Sequence, residues 1–184
     1  MTFSFARPAA ASRFLAGESV NAGGVCDPFF YSDCGYGVVS CAIETAGDAP
    51  ASKLLPLAKL CDEVLFDLKI MDAAQARDVV KMNLQRVLEN LRLLVSEGVN
   101  VIPRLPLIPG FTLSRENMQQ ALGRADPAEY QADPSVTVSS VRRAKYRLLG
   151  KTWSMKEVAA PSSADVATMR EMAERAGFQV TVGG

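Results

Sequence analysis

The sequence predicts an α/β fold in which parallel strands and helices alternate to form part of a β/α barrel. Short apolar runs rich in β-branched residues are followed by segments in which Leu and Val have helical spacing. Glycine, proline and serine lie at the boundaries between the two kinds of segment. Regular alternation of strand and helix is typical of a parallel sheet or barrel. The 184 residues are enough for one domain of this kind.

The first orderly element is the run "VVSCAIE" at residues 38–44, whose apolar and β-branched side chains predict a strand. The turn "TAGDAP" follows it. Residues 51–60 then have the apolar spacing of a short helix, with Ser52 as the predicted N-cap. The run "EVLFDLKI" at residues 63–70 predicts the second strand, so these elements form one strand, helix, strand unit.

A long amphipathic helix is predicted at residues 72–98, because Leu and Val recur on one face. Gly98 is predicted to end this helix as the residue beyond its last turn. The run "VNVIPRLPLI" at residues 99–108 predicts the third strand, and "PGF" turns the chain. Ser114 is predicted to cap the next helix, "RENMQQAL".

The pattern turns polar where the next buried strand is due, at about residues 130–138. A parallel strand is normally apolar on both faces, but residues 124–134 contain aspartate, glutamate and two prolines instead. We therefore expect this segment to interrupt the sheet and to leave the neighbouring strands unpaired. A capped helix at residues 162–177 and a closing strand, "FQVTVGG", complete the predicted elements.

Charge and hydropathy exclude two classes of partner. The 20 basic residues are balanced by 20 acidic ones, so no surplus of positive charge is present to displace counterions from phosphates. We therefore expect no nucleic-acid partner. No run approaches the ~20 apolar residues that span a bilayer, and the first residues lack the apolar core of a secretory signal. We expect no membrane partner and a cytoplasmic location.

Charged side chains lie at the carboxyl ends of three consecutive predicted strands. They are Glu44 with Thr45, Asp67 with Lys69, and Arg104. Ligand sites of βα proteins form beyond the carboxyl ends of the strands. Asp67 and Lys69 are two residues apart and therefore share a face, where a carboxylate can bind an amine and a lysine can bind a carboxylate. The plain alternative is a solvated ion pair at a strand end.

Four segments, "CAIETAG", "CDEVLFDLKIMD", "VIPRLPLIPGF" and "KYRLLGKTW", follow one another in this order. Together they resemble the C-terminal half of the glycyl-radical-enzyme activating enzymes, the pyruvate formate-lyase activase branch of the radical SAM proteins. The resemblance covers residues 38–122 and 145–184. It implies the C-terminal part of a partial parallel β/α barrel of the radical SAM type. It also implies S-adenosylmethionine and a [4Fe-4S] cluster as cofactors, and a glycyl-radical enzyme of the pyruvate formate-lyase type as partner.

The resemblance also implies a set of residues that bind S-adenosylmethionine. Glu44 and Thr45 match the family's acid-Thr-x-Gly turn near the methionine end of the cofactor. Asp67 and Lys69 match the Asp-Leu-Lys that helps to hold the methionine group, and Arg104 matches a basic residue of the following strand. The sequence departs from the family because no Cys-x3-Cys-x2-Cys occurs in it. Ligands for the cluster are therefore absent, and we assign no catalytic residue and no metal ligand.

A change of reading frame accounts for the departures in our hypothesis. Codons for residues 123–144, read from their second base, permit an apolar strand that contains the family's Leu-Pro-Phe-His. Codons for residues 8–17, read with the opposite offset, permit its Gly-Gly motif region. We therefore predict an out-of-frame, poorly ordered segment at residues 1–37. The rest, residues 38–184, is predicted to be a partial barrel domain with an anomalous insert at 123–144.

Three interpretations of function follow from the sequence. In the first, the chain is a fragment of a pyruvate formate-lyase-activating radical SAM enzyme that is inactive alone because the cluster loop is missing. In the second, it is a non-catalytic module that binds S-adenosylmethionine or the glycyl-radical enzyme. In the third, it is an unrelated βα enzyme whose acids and lysine do other work.

Overall fold

The computed structural model describes residues 13–16, 41–125, 135–140 and 160–183. Within them, six strands form one sheet in chain order, and every neighbouring pair is parallel. The strands are β1 (Arg13–Ala16), β2 (Cys41–Thr45), β3 (Glu63–Asp67), β4 (Val101–Leu107), β5 (Ser135–Ser140) and β6 (Gln179–Gly183). The helices are α1 (Ala51–Ala58), α2 (Ala73–Val80), α3 (Leu84–Ser96), α4 (Arg115–Arg124) and α5 (Ser163–Arg175). The predicted parallel α/β fold is confirmed.

The sheet has two unlike faces. Side chains alternate between buried and partly exposed along β2, β3 and β4, as expected when successive residues point to opposite faces. The buried set forms one core with the apolar sides of the helices, and it includes Ile43, Val64, Phe66, Leu105, Val138, Leu54, Leu91 and Met118. We call this helix-covered side the outer face and the opposite side the inner face. The inner face carries the charged residues of β2, β3 and β4.

The predicted helix at residues 72–98 is in fact two helices. Lys81 has the left-handed conformation, with φ of 56°, and this residue ends α2. Asn83 then begins α3, because its side chain accepts a hydrogen bond from the Arg86 N–H. The prediction of one helix was wrong because a side chain that can cap a helix competes with continuing it. None of the helices in the described part of the chain is long and apolar enough to cross a membrane.

Predicted helix ends agree with the structure in most cases. Gly98 has a positive φ of 72° directly after α3, and the Ser114 side chain accepts the Asn117 N–H at the start of α4. At α5, Ser162 forms a capping box with Asp165. The prediction that Ser52 caps α1 was wrong. Pro50 holds that position, because its fixed φ suits the entry to a helix.

The expectation that the polar stretch leaves β4 unpaired was also wrong. Strand β5 pairs with β4, with Arg104 opposite Thr137. On its other edge, β5 pairs with β6. The physical reason is the alternation of the strand "SVTVSS", which buries Val136 and Val138 on the outer face. Residues 126–134 and 141–159, which include "KYRLLGKTW", and most of residues 1–37 lie outside the described residues. The out-of-frame hypothesis and the domain boundaries stay predictions, and a nucleotide read of the gene tests them.

Candidate functional site

Four charged residues meet on the inner face of three adjacent strands. Asp67 lies directly opposite Arg104 in the pairing of β3 with β4, and Lys69 follows Asp67 by two residues. Glu44 lies on β2, where its strand pairs with β3 at Leu65. The side chains of the four are between 13% and 34% exposed, so each is only partly accessible to solvent. The structure therefore brings together four of the five residues that the sequence singles out.

Arg104 lies at the centre of this group. Its Nη1 is 2.6 Å from Glu44 Oε1, and its Nε is 3.6 Å from Asp67 Oδ1. On the other side of the carboxylate, Lys69 Nζ is 3.6 Å from Asp67 Oδ2. Two acids and two bases therefore alternate across the inner face as Glu44, Arg104, Asp67 and Lys69. We call these four residues the inner-face cluster.

Asp67 is the most buried member of the inner-face cluster. Burial raises the pKa of its carboxyl above the ordinary value of 3.8, against the opposing influence of Lys69 and Arg104. Its Oδ1 atom is buried and accepts no hydrogen bond from the described residues. A buried carboxylate oxygen without a hydrogen-bond donor is costly, because water has been removed and Arg104 Nε, at 3.6 Å, is too far away for a full hydrogen bond. Among the described residues, the site therefore contains a buried carboxylate oxygen whose capacity to accept a hydrogen bond is unused.

Thr45 is placed apart from the inner-face cluster. It follows Glu44 directly, so its side chain belongs to the outer face, where it is only 3% exposed. Its Oγ1 accepts a hydrogen bond of 3.0 Å from the Gly47 N–H. Thr45 thus shapes the turn that leaves β2, whereas Glu44 faces the inner side.

The turn beyond β2 is held from behind by α3. Gly47 has a positive φ of 70°, and a Cβ atom there would overlap the ring of Phe66. Asn90, which is 4% exposed, donates both protons of Nδ2, to Gly47 O at 2.7 Å and to Ala49 O at 2.8 Å. Asn90 is a polar residue that is buried, and these two carbonyl groups satisfy its amide.

The segments beyond β3 and β4 are joined by one side chain of α4. Asn117 Nδ2 donates to Lys69 O at 2.8 Å and to Thr112 O at 3.3 Å, while its Oδ1 accepts the Met71 N–H at 2.8 Å. Thr112, itself buried, closes the turn after β4 by accepting the Ile108 N–H. Contacts between residues 46 and 48 positions apart leave no local signal.

The inner-face cluster fits one of the two cofactors that the resemblance implies. S-adenosylmethionine ends in an amino acid with an ammonium and a carboxylate, and the cluster presents acids and bases side by side. The open Oδ1 of Asp67 suits an ammonium donor, and Lys69 suits a carboxylate. The described residues contain no group of side chains that could hold the [4Fe-4S] cluster. Within the described residues, Cys41 is buried on the outer face and Cys61 Sγ donates to Leu57 O.

The sequence is closely similar to curated activating enzymes, although no family model matches it. It is 83% identical over 146 residues to the pyruvate formate-lyase 2-activating enzyme of Escherichia coli K12, covering 79% of this chain and 50% of that protein. It is 32% identical over 138 residues to the isethionate sulfite-lyase activating enzyme of Nitratidesulfovibrio vulgaris, covering 73% and 43%. The chain therefore spans about half the length of the curated relatives it matches.

Solved structures share the fold. A domain of the pyruvate-formate lyase-activating enzyme from Bacteroides vulgatus matches with a TM-score of 0.71 at 18% identity, over 95% of this chain and 99% of that one. Streptococcus suis SuiB bound to S-adenosylmethionine matches with a TM-score of 0.68 at 9% identity, over 94% and 39%. The 83% identity over 146 residues and the shared fold show that this chain is a close homologue of about half of a pyruvate formate-lyase-activating enzyme.

Proposed function

We propose that this chain is the S-adenosylmethionine-binding half-barrel of a glycyl-radical-enzyme activating enzyme. In this proposal the inner-face cluster holds the amino-acid end of the cofactor. The observation that carries it is the buried Oδ1 of Asp67, which accepts no hydrogen bond from the part of the chain that the structure describes. A ligand ammonium placed there would supply the missing donor and would offset the cost of burying the charge.

Charge complementarity supports the same orientation for the rest of the amino-acid group. Lys69 is the most exposed member of the cluster at 34%, and its 3.6 Å separation from Asp67 is long for a hydrogen bond. We propose that its ammonium turns to the ligand carboxylate. Glu44 holds Arg104 at 2.6 Å, which keeps the guanidinium beside Asp67 and directs it away from solvent.

Thr45 is proposed to act through the main chain rather than through contact with the ligand. Its hydroxyl accepts the Gly47 N–H and is buried on the outer face. We infer that it fixes the turn from which Glu44 projects. Glu44 and Thr45 therefore serve one site by different means.

Radical chemistry in this family begins from S-adenosylmethionine, which yields a 5′-deoxyadenosyl radical when a [4Fe-4S] cluster reduces it. No Cys-x3-Cys-x2-Cys occurs in this chain. We therefore propose that the chain binds the cofactor but does not generate the radical by itself. A glycyl-radical enzyme of the pyruvate formate-lyase type is the proposed partner, in the cytoplasm. The names of the two relatives support this class, because each describes an activating enzyme of a lyase.

Equilibrium dialysis against S-adenosylmethionine tests the proposal. The wild-type chain is expected to bind, and Asp67→Asn is expected to weaken binding about tenfold or more, because a charge-assisted hydrogen bond is lost. Glu97→Gln is the matched control. It removes a surface ion pair with Lys59 that is far from the inner face, so binding should not change.

Two outcomes would overturn the proposal. The first is a wild-type chain, shown to be folded, that does not bind S-adenosylmethionine. The second is a loss of affinity in Glu97→Gln as large as that in Asp67→Asn. Iron and sulfide analysis after anaerobic reconstitution tests the separate statement about the cluster, for which we expect no stoichiometric iron or sulfide.

A further inference from the structure

Two asparagine side chains connect the helices behind the sheet to the segments that leave the charged strands. Asn90 of α3 holds the turn that follows Glu44, and Asn117 of α4 holds the segment that contains Lys69. Each uses both protons of its Nδ2 on main-chain carbonyl groups. The two residues therefore act at the exits of β2, β3 and β4, where the inner-face cluster is assembled.

The chemistry of these contacts is specific to a primary amide. An asparagine side chain offers two donors and one acceptor, whereas aspartate of the same shape offers no donor when it is ionised. Asn117 uses all three, because its Oδ1 also accepts the Met71 N–H. An apolar residue at this position would leave the carbonyl groups of Lys69 and Thr112 without this donor.

The geometry links Asn117 to the ligand site through the peptide of Lys69. Strand β3 ends at Asp67, and its last bond to β4 runs from the Leu68 N–H to Arg104 O, so the peptide group that follows Lys69 lies beyond the ladder. The Asn117 contacts at Lys69 O and Met71 N fix the two sides of Ile70 instead. The direction in which the Lys69 side chain leaves the main chain therefore depends on Asn117.

We propose that Asn90 and Asn117 are positioning residues that hold the exits of the charged strands in the arrangement the ligand needs. Their hydrogen bonds go to main-chain atoms and not to the side chains of the inner-face cluster. Both act on the main chain from which the cluster projects. This inference rests on the proposed S-adenosylmethionine site, and its physical basis is that binding energy is lost when a ligand group and its partner are misplaced by about 1 Å.

A set of three alanine variants separates positioning from stabilisation. Asn117→Ala and Asn90→Ala remove the two contacts beyond the carboxyl ends of the strands. Asn100→Ala removes a similar contact at their amino ends, where Nδ2 donates to Asp62 O at 3.0 Å. All three are expected to lower the urea midpoint. Only the first two are expected to raise the dissociation constant for S-adenosylmethionine, by about tenfold or more.

Amide hydrogen exchange gives a second measurement that does not depend on the ligand. In Asn117→Ala we expect exchange of the amides of residues 69–71 to rise about tenfold, while the amides of α5 keep their protection. Asn117→Asp, which keeps the acceptor for Met71 N, replaces the alanine variant if that variant does not fold. It is expected to show the same change at smaller amplitude.

The outcomes distinguish this inference from the proposed function. Faster exchange at residues 69–71 together with weaker binding supports the inference. Unchanged exchange, or faster exchange with unchanged binding, overturns it. A folded wild-type chain that binds no S-adenosylmethionine overturns the proposed function, and exchange at residues 69–71 then decides alone whether Asn117 fixes this segment.

Discussion

Arg104 Nη1 lies 2.6 Å from Glu44 Oε1 although the two residues belong to β4 and β2, with β3 between them. Strands in a sheet are about 4.8 Å apart, so the side chains of Arg104 and Glu44 together bridge two strand spacings above the inner face. On the way the guanidinium passes Asp67, whose Oδ1 is 3.6 Å from Nε. One cation therefore serves two carboxylates, and the shorter contact goes to the carboxylate that is farther away in the sheet.

Replacing Arg104 by methionine tests how much the cluster depends on this cation. The change keeps much of the side-chain length but removes the positive charge beside Glu44 and Asp67. We therefore expect a loss of about 2 to 3 kcal/mol in the free energy of unfolding near neutral pH. The loss should shrink in acid, where both carboxylates are protonated. Urea unfolding at neutral and acidic pH measures both quantities.

Arg86→Met is the matched control for this prediction. Arg86 contacts Asp48 at 3.3 Å, but its side chain is 48% exposed. An exposed ion pair contributes up to about 1 kcal/mol, so a small loss is expected. Equal losses in the two variants would contradict a special role for Arg104.

The raised pKa of Asp67 predicts how stability changes with pH. Because burial raises this pKa above 3.8, the folded state binds more protons than the unfolded state as the pH rises from that value. The contribution of Asp67 to the free energy of unfolding therefore falls with rising pH. Asp67→Asn removes the titration, so its stability relative to the wild type should increase from acid to neutral pH in urea titrations.

Asp165 supplies a control of the opposite sign. Hydrogen bonds from the Ser162 side chain and main chain lower the pKa of the Asp165 carboxyl, so its contribution to stability is lost as the pH falls through the folded-state pKa. Asp165→Asn should therefore become less stable relative to the wild type as the pH rises from acid. Parallel trends in the two variants would exclude the assigned causes.

Gly47 and Gly110 provide a matched pair for the turn beyond β2. Both have a positive φ, of 70° and 79°, so alanine at either position costs about 1 to 2 kcal/mol in backbone strain. A Cβ atom at Gly110 meets nothing, whereas one at Gly47 overlaps the fully buried ring of Phe66. We expect Gly47→Ala to cost about 1 to 3 kcal/mol more than Gly110→Ala in thermal or urea unfolding. Equal costs would show that the ring moves freely.

Much of the fold was predictable because it follows local patterns. The strands at Cys41–Thr45 and Val101–Leu107 lie within apolar runs that the sequence displays, and Gly98 ends a helix as glycine commonly does. Charges on three consecutive strands also indicated the place of the site, although Arg104 lies within β4 and not at its carboxyl end. The resemblance to one family narrowed the fold further.

The rest of the site was not predictable because it depends on contacts between distant segments. Asn90 is a polar residue in an amphipathic helix, which usually indicates a surface position. It is buried instead, and it donates to carbonyl groups 41 and 43 residues away. The sequence also cannot show that Oδ1 of Asp67 is buried without a hydrogen-bond donor in the described part of the chain, because this depends on the side chains of the neighbouring strands. The break at Lys81 was missed because the apolar spacing continues across it.

Strand β5 was not predicted, because the polar residues before it carried more weight than the alternation of polar and apolar residues in "SVTVSS". A pair of isosteric substitutions tests the place of β5 in the sheet. Val138 is 1% exposed on the outer face, whereas its neighbour Thr137 is partly exposed on the inner face opposite Arg104. Val138→Thr should cost about 1 to 2 kcal/mol, because it buries a hydroxyl group in the core. Thr137→Val should change the free energy of unfolding by less than about 0.5 kcal/mol. Urea unfolding measures both, and no cost from Val138→Thr would mean that residues 135–140 lie outside the sheet, as their polarity had led us to expect.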